Sequence, residues 1–599
     1  MAKTASDTLI ETLADNWGVD TIFGLPGDGI NGILEALRTH QDRVHFVQVR
    51  HEEAAAFAAC AYAKFTGRLG VCLATSGPGA IHLLNGLYDA KMDGAPVLAL
   101  TGQQYSDLLG LSYQQEVDLL TLFKDVAAFN QMVQGSTDVY NLVNVACRTA
   151  LAKHGVAHIT FPIDHQVAEA KNGFYAHAGG PPKTASQLED SSPSFYIEAV
   201  SKPVVLQVPD AASLNRAAGV LNEGNKVAIL AGHGSIHARA ELEQVAELLG
   251  APIVKPLLGK GAVPDDSPYT TGGIGLLGTR PSQDVMEACD TLLIVGSSFP
   301  YADYLPKPDQ ARGVQIDVDE TRIGLRFPVE VGLLGDSRAA LAALIPLLQR
   351  NSDRSFLEQA QEAMVQWNEH LEAEGTRTDM PMKPQVVART LEELAAPNAI
   401  ICGDSGTNTA WIARNFRLKA DQRFSCSGNL ATMAPGLPYA VGAQTAFPER
   451  QVIAFVGDGG FTMLMGEMIT AVKHRLPIKV VIIKNNVLGQ IKWEQIVFLG
   501  NPQFGVELEP ADFAAYARAV GAGGFCVEKP EEIREVMTQF LAYPGPAVLE
   551  AVVDPNEPPM PPKVKREQVL HWAQALVKGQ PDAARISLTA FRDKIDELV

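Results

Sequence analysis

The chain has 599 residues, a formal net charge of -19 at pH 7, 46% hydrophobic and 20% charged residues. That is the balance of an ordinary globular protein long enough for several domains, and the acidic excess, with no basic block to offset it, excludes nucleic acid as a partner. The seven cysteines are odd in number and show no C-x-x-C spacing, which excludes a disulfide framework and a zinc site and points to a reducing compartment.

The first segment, MAKTASDTLIETLADNWGVD, reads as an amphipathic helix with acidic residues and lacks the apolar h-region of a signal peptide. No apolar run reaches the ~18 residues of a membrane span. The expected location is cytoplasmic. Further along, the runs VCLATS, PVLALTG, HITFPID, KVAILAG, APIVKPL, TLLIVGS, GVQIDVD, AIICGDS, QVIAFVGD, IKVVIIKN and AVLEAVVD alternate with helical stretches. Nearly continuous Val/Ile/Leu strands of this kind belong in parallel sheets covered on both faces. Gly and Asp cluster where these strands end, the edge at which open α/β sheets bind ligands. A polar, Pro/Gly/Ser-rich linker at 177–194, a charged helical connector at about 349–383 and the turn DPNEPPMPPK at 554–563 punctuate the chain. The resulting expectation is α/β: three doubly wound parallel-sheet domains, at 1–180, 195–350 and 380–555, followed by a helical tail at 556–599. No short-period repeat is evident.

One stretch carries chemistry by itself. QVIAFV is a strand ending at Gly457-Asp458, FTMLMGEMITAVKHR reads as a helix, and IKVVIIKN is a second strand ending at Asn485. One βαβ crossover therefore delivers Asp458 and Asn485 to the same sheet edge. Both are hard oxygen ligands suited to Mg²⁺, and the helix N-terminus at Gly459-Gly460 is available to an anion. The expected ligand is a cation–diphosphate unit.

GDG followed by NN resembles the thiamine-diphosphate motif. With IFGLPGDGINGI, RHEEAAAFAACAYAKFTG, GPGAIHLLNGLYDA, PVLALTGQ, PERQVIAFVGDGGFTMLMG and PPKVKREQ, the resemblance extends along nearly the whole chain to the pyruvate oxidase and quinone-dependent pyruvate dehydrogenase family. Acetohydroxyacid synthase is a more distant relative of the same architecture. The resemblance implies a pyrimidine-binding domain, a central FAD-binding domain and a diphosphate-binding domain. It implies Mg²⁺ on Asp458, Asn485 and the carbonyl of Val487, and the diphosphate on Gly406, Thr407, Asn408, Gly459 and Gly460. Met433, preceded by Ala431 and Thr432, takes the place of the residue wedged under the coenzyme, and Leu488 and Gly489 border it. Glu52 is placed against the pyrimidine ring nitrogen, where a buried carboxyl shares a proton with the coenzyme. Its neighbour Glu53 reads as a helix-starting acid. The loops GHGSIHA, LLGKGAV, GLLGTRPS, SSFPYADY and QIDVDETRIG resemble the family's flavin loops, with Leu258, Gly259, Lys260, Gly261, Phe299, Asp317 and Asp336 as FAD-binding positions. Leu258 stands where quinone-dependent relatives carry an arginine.

Gln115, Gln490 and Glu494 stand at the implied catalytic positions; Glu494 matches the family pattern, whereas Gln114 and Gln490 each replace a family Phe. Two amides for two aromatics suggest a donor or acceptor more polar than in pyruvate oxidases. The implied reaction is oxidative decarboxylation of pyruvate or a related 2-oxo acid, with oxygen or a quinone as electron acceptor. The implied assembly is at least a homodimer, the homotetramer being the commoner family form. The alternatives are a carboligase or a non-oxidative decarboxylase with a structural or absent flavin. Trp493 sits one residue out of step with the synthase signature, which weighs against the carboligase. A relative that only binds coenzyme is disfavoured by intact Glu52, Asp458 and Asn485. Quinone-linked relatives use an amphipathic tail on membranes. Here Leu588, Phe591, Ile595 and Leu598 form a stripe whose polar face mixes both charge signs, so packing on the protein itself is expected, with peripheral membrane attachment as the second possibility.

Overall fold

The computed structural model describes residues 3–134, 139–170 and 206–587. The linker read at 177–194 and the apolar stripe Leu588, Phe591, Ile595 and Leu598 lie outside them. Three six-stranded sheets, each with all its pairs parallel, organise the described chain.

The N-terminal sheet comprises β1 (Thr21–Gly24), β2 (His45–Gln48), β3 (Gly70–Ala74), β4 (Val97–Gln103), β5 (Ala127–Met132) and β6 (Val156–Pro162), in the order β2-β1-β3-β4-β6-β5. The central sheet has β7 (Val227–Ala231), β8 (Ile253–Lys255), β9 (Thr270–Gly273), β10 (Thr291–Val295), β11 (Arg312–Asp317) and β12 (Val331–Leu334), ordered β12-β11-β10-β7-β8-β9. The C-terminal sheet has β13 (Ile400–Gly403), β14 (Arg423–Ser425), β15 (Val452–Gly457), β16 (Lys479–Lys484), β17 (Gly523–Val527) and β18 (Ala547–Val552), ordered β14-β13-β15-β16-β18-β17. The expected α/β architecture of three parallel-sheet domains is present, and a helix, Arg566–Val577, follows the last sheet. The first and third sheets repeat one topology, a duplication that no periodicity in the sequence announced.

The outer two sheets are joined through helices. Glu52–Thr66 is alanine-rich and buried along nearly its whole length, as befits a helix with protein on all sides. It packs on Gly436–Ala446, and the approach is so close that a Cβ on Gly442 would lie 2.2 Å from the Ala58 carbonyl oxygen. Because that neighbour is backbone, Gly442→Ala is expected to destabilise the protein by roughly 1–3 kcal/mol; a melting temperature unchanged from wild type would contradict this packing. A buried ionic knot closes the same interface. Lys64 Nζ donates to Asp93 Oδ2 at 2.6 Å and to the Cys426 carbonyl at 3.0 Å, while Asp93 accepts from the amides of Gly428 and Asn429. The loop leading to Ala431–Met433 is thereby tied to the N-terminal domain.

Candidate functional site

In the C-terminal sheet the strand order reverses between β13 and β15, the place where open α/β sheets take ligands. The chain leaves β13 through Asp404, Ser405 and Gly406. Gly406 has φ 130° and ψ -165°, a conformation open to glycine alone, and it starts the helix Thr407–Asn415. The chain leaves β15 at Gly457, and Asp458 itself begins the helix Asp458–Leu464. The single crossover helix read from the sequence is two helices, Asp458–Leu464 and Glu467–Lys473, with the break at Met465-Gly466.

The crossover brings its two ends together. Asp458 Oδ2 accepts from the Asn485 amide at 3.0 Å and the Asn486 amide at 2.6 Å, and Oδ1 accepts from Gly459 at 2.9 Å. Burial raises the Asp458 pKa against these hydrogen bonds. Asn485 Oδ1 accepts from the Val487 amide at 3.1 Å. The other expected coenzyme positions converge here. A Cβ on Gly459 would meet Leu488, Leu508 and Met433, and one on Gly489 would meet Thr407 and Asn485. Cβ atoms on Gly406 and Gly457 would each meet Asn408 Oδ1. The backbone is held in uncommon conformations at the same spots: Ala431, Ala434 and Asn486 have φ of 53°, 85° and 55°. For alanine such a φ costs about 1–2 kcal/mol, and it concentrates on the loops around Met433 and Asn485.

Asp404, which sequence reading passed over, lies under this cradle. It is fully buried, and burial pushes its carboxyl up to about 7. Oδ1 accepts from Ser405 and Ala434 amides, while Oδ2 has no hydrogen-bond partner among the described residues. Glycines at the strand ends, a helix N-terminus, an unpartnered buried carboxyl oxygen and hard oxygen donors on Asp458 and Asn485 together fit a cation with a diphosphate.

The N-terminal sheet has its own reversal, between β1 and β3. Glu52 opens its helix just beyond β2, with the side chain of His51 accepting from the Glu53 amide as the cap. Glu52 is 6% exposed. Its Oε2 pairs with His82 Nδ1 at 2.9 Å, and Oε1 lies beside Gly79, where a Cβ would come within 3.1 Å. His51 stacks on His82 with ring centroids 4.4 Å apart. Gln115, with φ 62°, accepts from Ser76 Oγ at 3.3 Å, whereas Gln114 is exposed. Glu53 has the structural part expected of it, accepting from Asn85, which also donates to Thr432.

A further contact links the two halves. Glu467, 1% exposed, accepts the Arg50 and His51 amides on Oε1 at 2.9 and 3.1 Å. Those amides immediately precede Glu52, while Glu467 stands nine residues after Asp458. Neither His82 nor Glu467 was singled out from sequence; His82 in GPGAIH was the one available signal.

The central sheet reverses between β7 and β10, and there a cavity of about 2380 Å³ opens. Of the expected flavin positions, Leu258, Gly261, Phe299, Asp317 and Asp336 line it, as do Gly406, Ala431, Gln490 and Glu494. Burial raises the Asp317 pKa, and Asp336 caps the helix Ser337–Leu344. Gly259 and Lys260 do not line the cavity. Gly259 packs on the Ala231 carbonyl, and the Lys260 ammonium is spent on Asp265 and the Ala413 carbonyl, both at 2.9 Å, tying the central to the C-terminal domain. Gln490 Nε2 donates to Glu494 Oε1 at 3.0 Å.

Comparison with known proteins agrees with this geometry. Three family models match the chain: the N-terminal TPP binding domain of thiamine pyrophosphate enzymes over residues 3–122, their central domain over 214–344, and their C-terminal TPP binding domain over 404–551. The Bacillus subtilis (strain 168) protein YdaP, described as thiamine pyrophosphate-containing, is 41% identical over 596 residues, covering 100% of this chain and 99% of its own. The pyruvate oxidase of Lactiplantibacillus plantarum is 32% identical over 546 residues, 90% of this chain and 87% of its own. The acetolactate synthase of Mycobacterium bovis is 30% identical over 573 residues, 92% of this chain and 88% of its own. The chain with the Asp458–Asn485 crossover and the Glu52 helix belongs to the thiamine pyrophosphate enzyme family.

Proposed function

We propose that the protein catalyses oxidative decarboxylation of a 2-oxo acid with thiamine diphosphate, Mg²⁺ and FAD. The observation that carries this reading is the single cavity running from the switch point of the central sheet to Gly406, Ala431, Gln490 and Glu494. A flavin seated on the central domain would thus share one space with the coenzyme held by the C-terminal domain. When bound, the thiazolium serves as electron sink for loss of CO₂, and the flavin as acceptor of two electrons.

The chain's own residues supply binding and proton handling. Asp458, Asn485 and the Val487 carbonyl would hold the cation, and Gly406 to Asn408 with Gly459 and Gly460 the diphosphate. Met433, Leu488 and Gly489 would bound the coenzyme, with Ala431 and Thr432 setting the strained loop. Glu52 would hold a proton at the pyrimidine nitrogen, with His82 fixing its other oxygen. Gln115, Gln490 and Glu494 would face the substrate, which is a pyruvate-like small molecule, and oxygen or a quinone would take the electrons from the flavin. We assign the working form as a homodimer or homotetramer; the exposure of Leu111 and Tyr113 on the loop carrying Gln115 supports a partner subunit there. Among the described residues no helix is long and apolar enough to cross a membrane, and a cytoplasmic setting fits the reduced cysteines.

A carboligase is the second reading, favoured by the identity to acetolactate synthases. Heat-denatured holoprotein is expected to release about one FAD per chain and to need thiamine diphosphate and Mg²⁺ for CO₂ release from pyruvate. Acetolactate formed in step with CO₂ would favour the carboligase, and absence of CO₂ release from every 2-oxo acid tried would overturn both readings.

A further inference from the structure

A second cavity, of about 570 Å³, lies behind the Gln490–Glu494 pair. Leu276, Trp493, Val497, Met560, Val569 and Trp572 are among its walls, and the Pro-rich turn after β18 closes one side. Three segments distant in sequence therefore build one apolar chamber. Its volume is in the usual range for small-molecule sites, which are apolar with a few polar groups at one end. Here the polar groups are Gln490 and Glu494, and both of these, with Leu276 and Phe498, also line the large cavity. Those four side chains form the wall that the chamber shares with the large cavity. Gln568, another polar wall residue, is engaged with the Lys565 amide at its own helix start, at 2.7 Å.

The backbone along one wall of this space is irregular. Glu494–Phe498 is wound as a π-helix, with the Leu499 amide bonded to the Glu494 carbonyl at 3.2 Å. Such wide turns interrupt α-helices at functional positions. The helix Arg566–Val577 then docks on the turn through Ala575 and Trp572 against Trp493, Ile496 and Val497. The methyl group of pyruvate would leave nearly all of such a chamber empty.

We propose that this chamber receives the side chain of the 2-oxo acid and that branched aliphatic 2-oxo acids are preferred over pyruvate. The proposal rests on the reading that Gln490 and Glu494 face the reacting carbonyl. It replaces the expectation of a more polar donor, because the Gln490 amide is engaged by Glu494 and apolar walls stand behind both.

The test uses full-length holoprotein with 4-methyl-2-oxopentanoate and pyruvate. The wild-type kcat/KM is expected to favour 4-methyl-2-oxopentanoate at least about tenfold, the discrimination an apolar pocket gives per carbon or two. Val569→Phe and Val564→Phe, which fill the chamber from its outer wall, are each expected to cut that ratio about fivefold or more. A wild-type preference for pyruvate, or a ratio untouched by both substitutions, would overturn the proposal. Trp493 and Trp572 supply a readout independent of turnover. Their fluorescence is expected to change with 4-methyl-2-oxopentanoate and to lose that response in Val569→Phe. The same response without turnover of either acid would uphold the chamber and overturn the proposed reaction; turnover of pyruvate without any response would do the reverse. A response to menadione and to neither acid would assign the chamber to the electron acceptor and overturn the proposal. Truncation after Ser587 is expected to leave the ratio within about twofold; a tenfold rise would show that residues 588–599 occupy the chamber, and would also overturn it.

Discussion

Glu52→Gln is expected to lower kcat by about 10³, the middle of the range for loss of a positioned acid–base group. Glutamine keeps the size of the side chain and can still reach His82, whose Nδ1 lies 2.9 Å from Glu52 Oε2. The helix, its His51 cap and the burial of the position are all preserved. What disappears is the proton that Oε1, beside Gly79, would exchange with the pyrimidine nitrogen on the proposed reading. Thiamine diphosphate affinity, which the proposed reading assigns mainly to the C-terminal loops, is expected to stay within about tenfold, because one neutral hydrogen bond contributes only about 0.5–1.5 kcal/mol. Single-turnover kinetics with titration of coenzyme separate the two quantities. A kcat within tenfold of wild type would remove Glu52 from the proton chemistry.

Glu467→Ala is the second large effect. The substitution strands the Arg50 and His51 amides, which donate to Oε1 at 2.9 and 3.1 Å, and the Thr470 hydroxyl, which donates to Oε2 at 2.6 Å. Each buried group left without a partner costs about 1–3 kcal/mol, so a destabilisation of roughly 3 kcal/mol or more is expected. Because the stranded amides precede Glu52, kcat is also expected to fall at least about tenfold, with Glu467→Gln recovering much of it through its remaining carbonyl. A pH signature accompanies this. Burial raises the Glu467 carboxyl to about 7, above the value near 4.3 of an unfolded glutamate. The folded state therefore holds the proton more tightly between those values, and stability is lost as pH rises through that window. Wild type measured against Glu467→Gln is expected to lose relative stability from about pH 4.5 to 7 and none above. Parallel denaturation curves across that range would contradict a carboxyl buried at this contact.

The crossover was legible in sequence because its parts are local: a buried strand pattern, glycines at its end, a helix-length gap and a second strand. Asp458 and Asn485 follow from that one unit, while Val487 and Gly489 came only with the resemblance. Glu52 became legible only by resemblance, since nothing in HEEAAAF distinguishes it from Glu53. The structure separates them, with Glu53 turned to Asn85 and Glu52 to His82. Glu467 stayed hidden because its partners are backbone amides more than four hundred residues earlier, and a single helix pattern gave no sign of the break before it. Lys260 reads as a ligand in a Gly-flanked loop, yet Asp265 and Ala413 claim its ammonium. The apolar chamber could not be read at all, because Leu276, Trp493 and Trp572 meet only in three dimensions.

The most direct measurement is the visible spectrum of the anaerobic protein with thiamine diphosphate and Mg²⁺, before and after mixing with pyruvate or 4-methyl-2-oxopentanoate. The flavin band is expected to bleach as CO₂ is released, in equal amounts. A flavin band that persists while CO₂ leaves, or a protein that carries no flavin, would contradict oxidative decarboxylation and move the assignment to the carboligase or a plain decarboxylase.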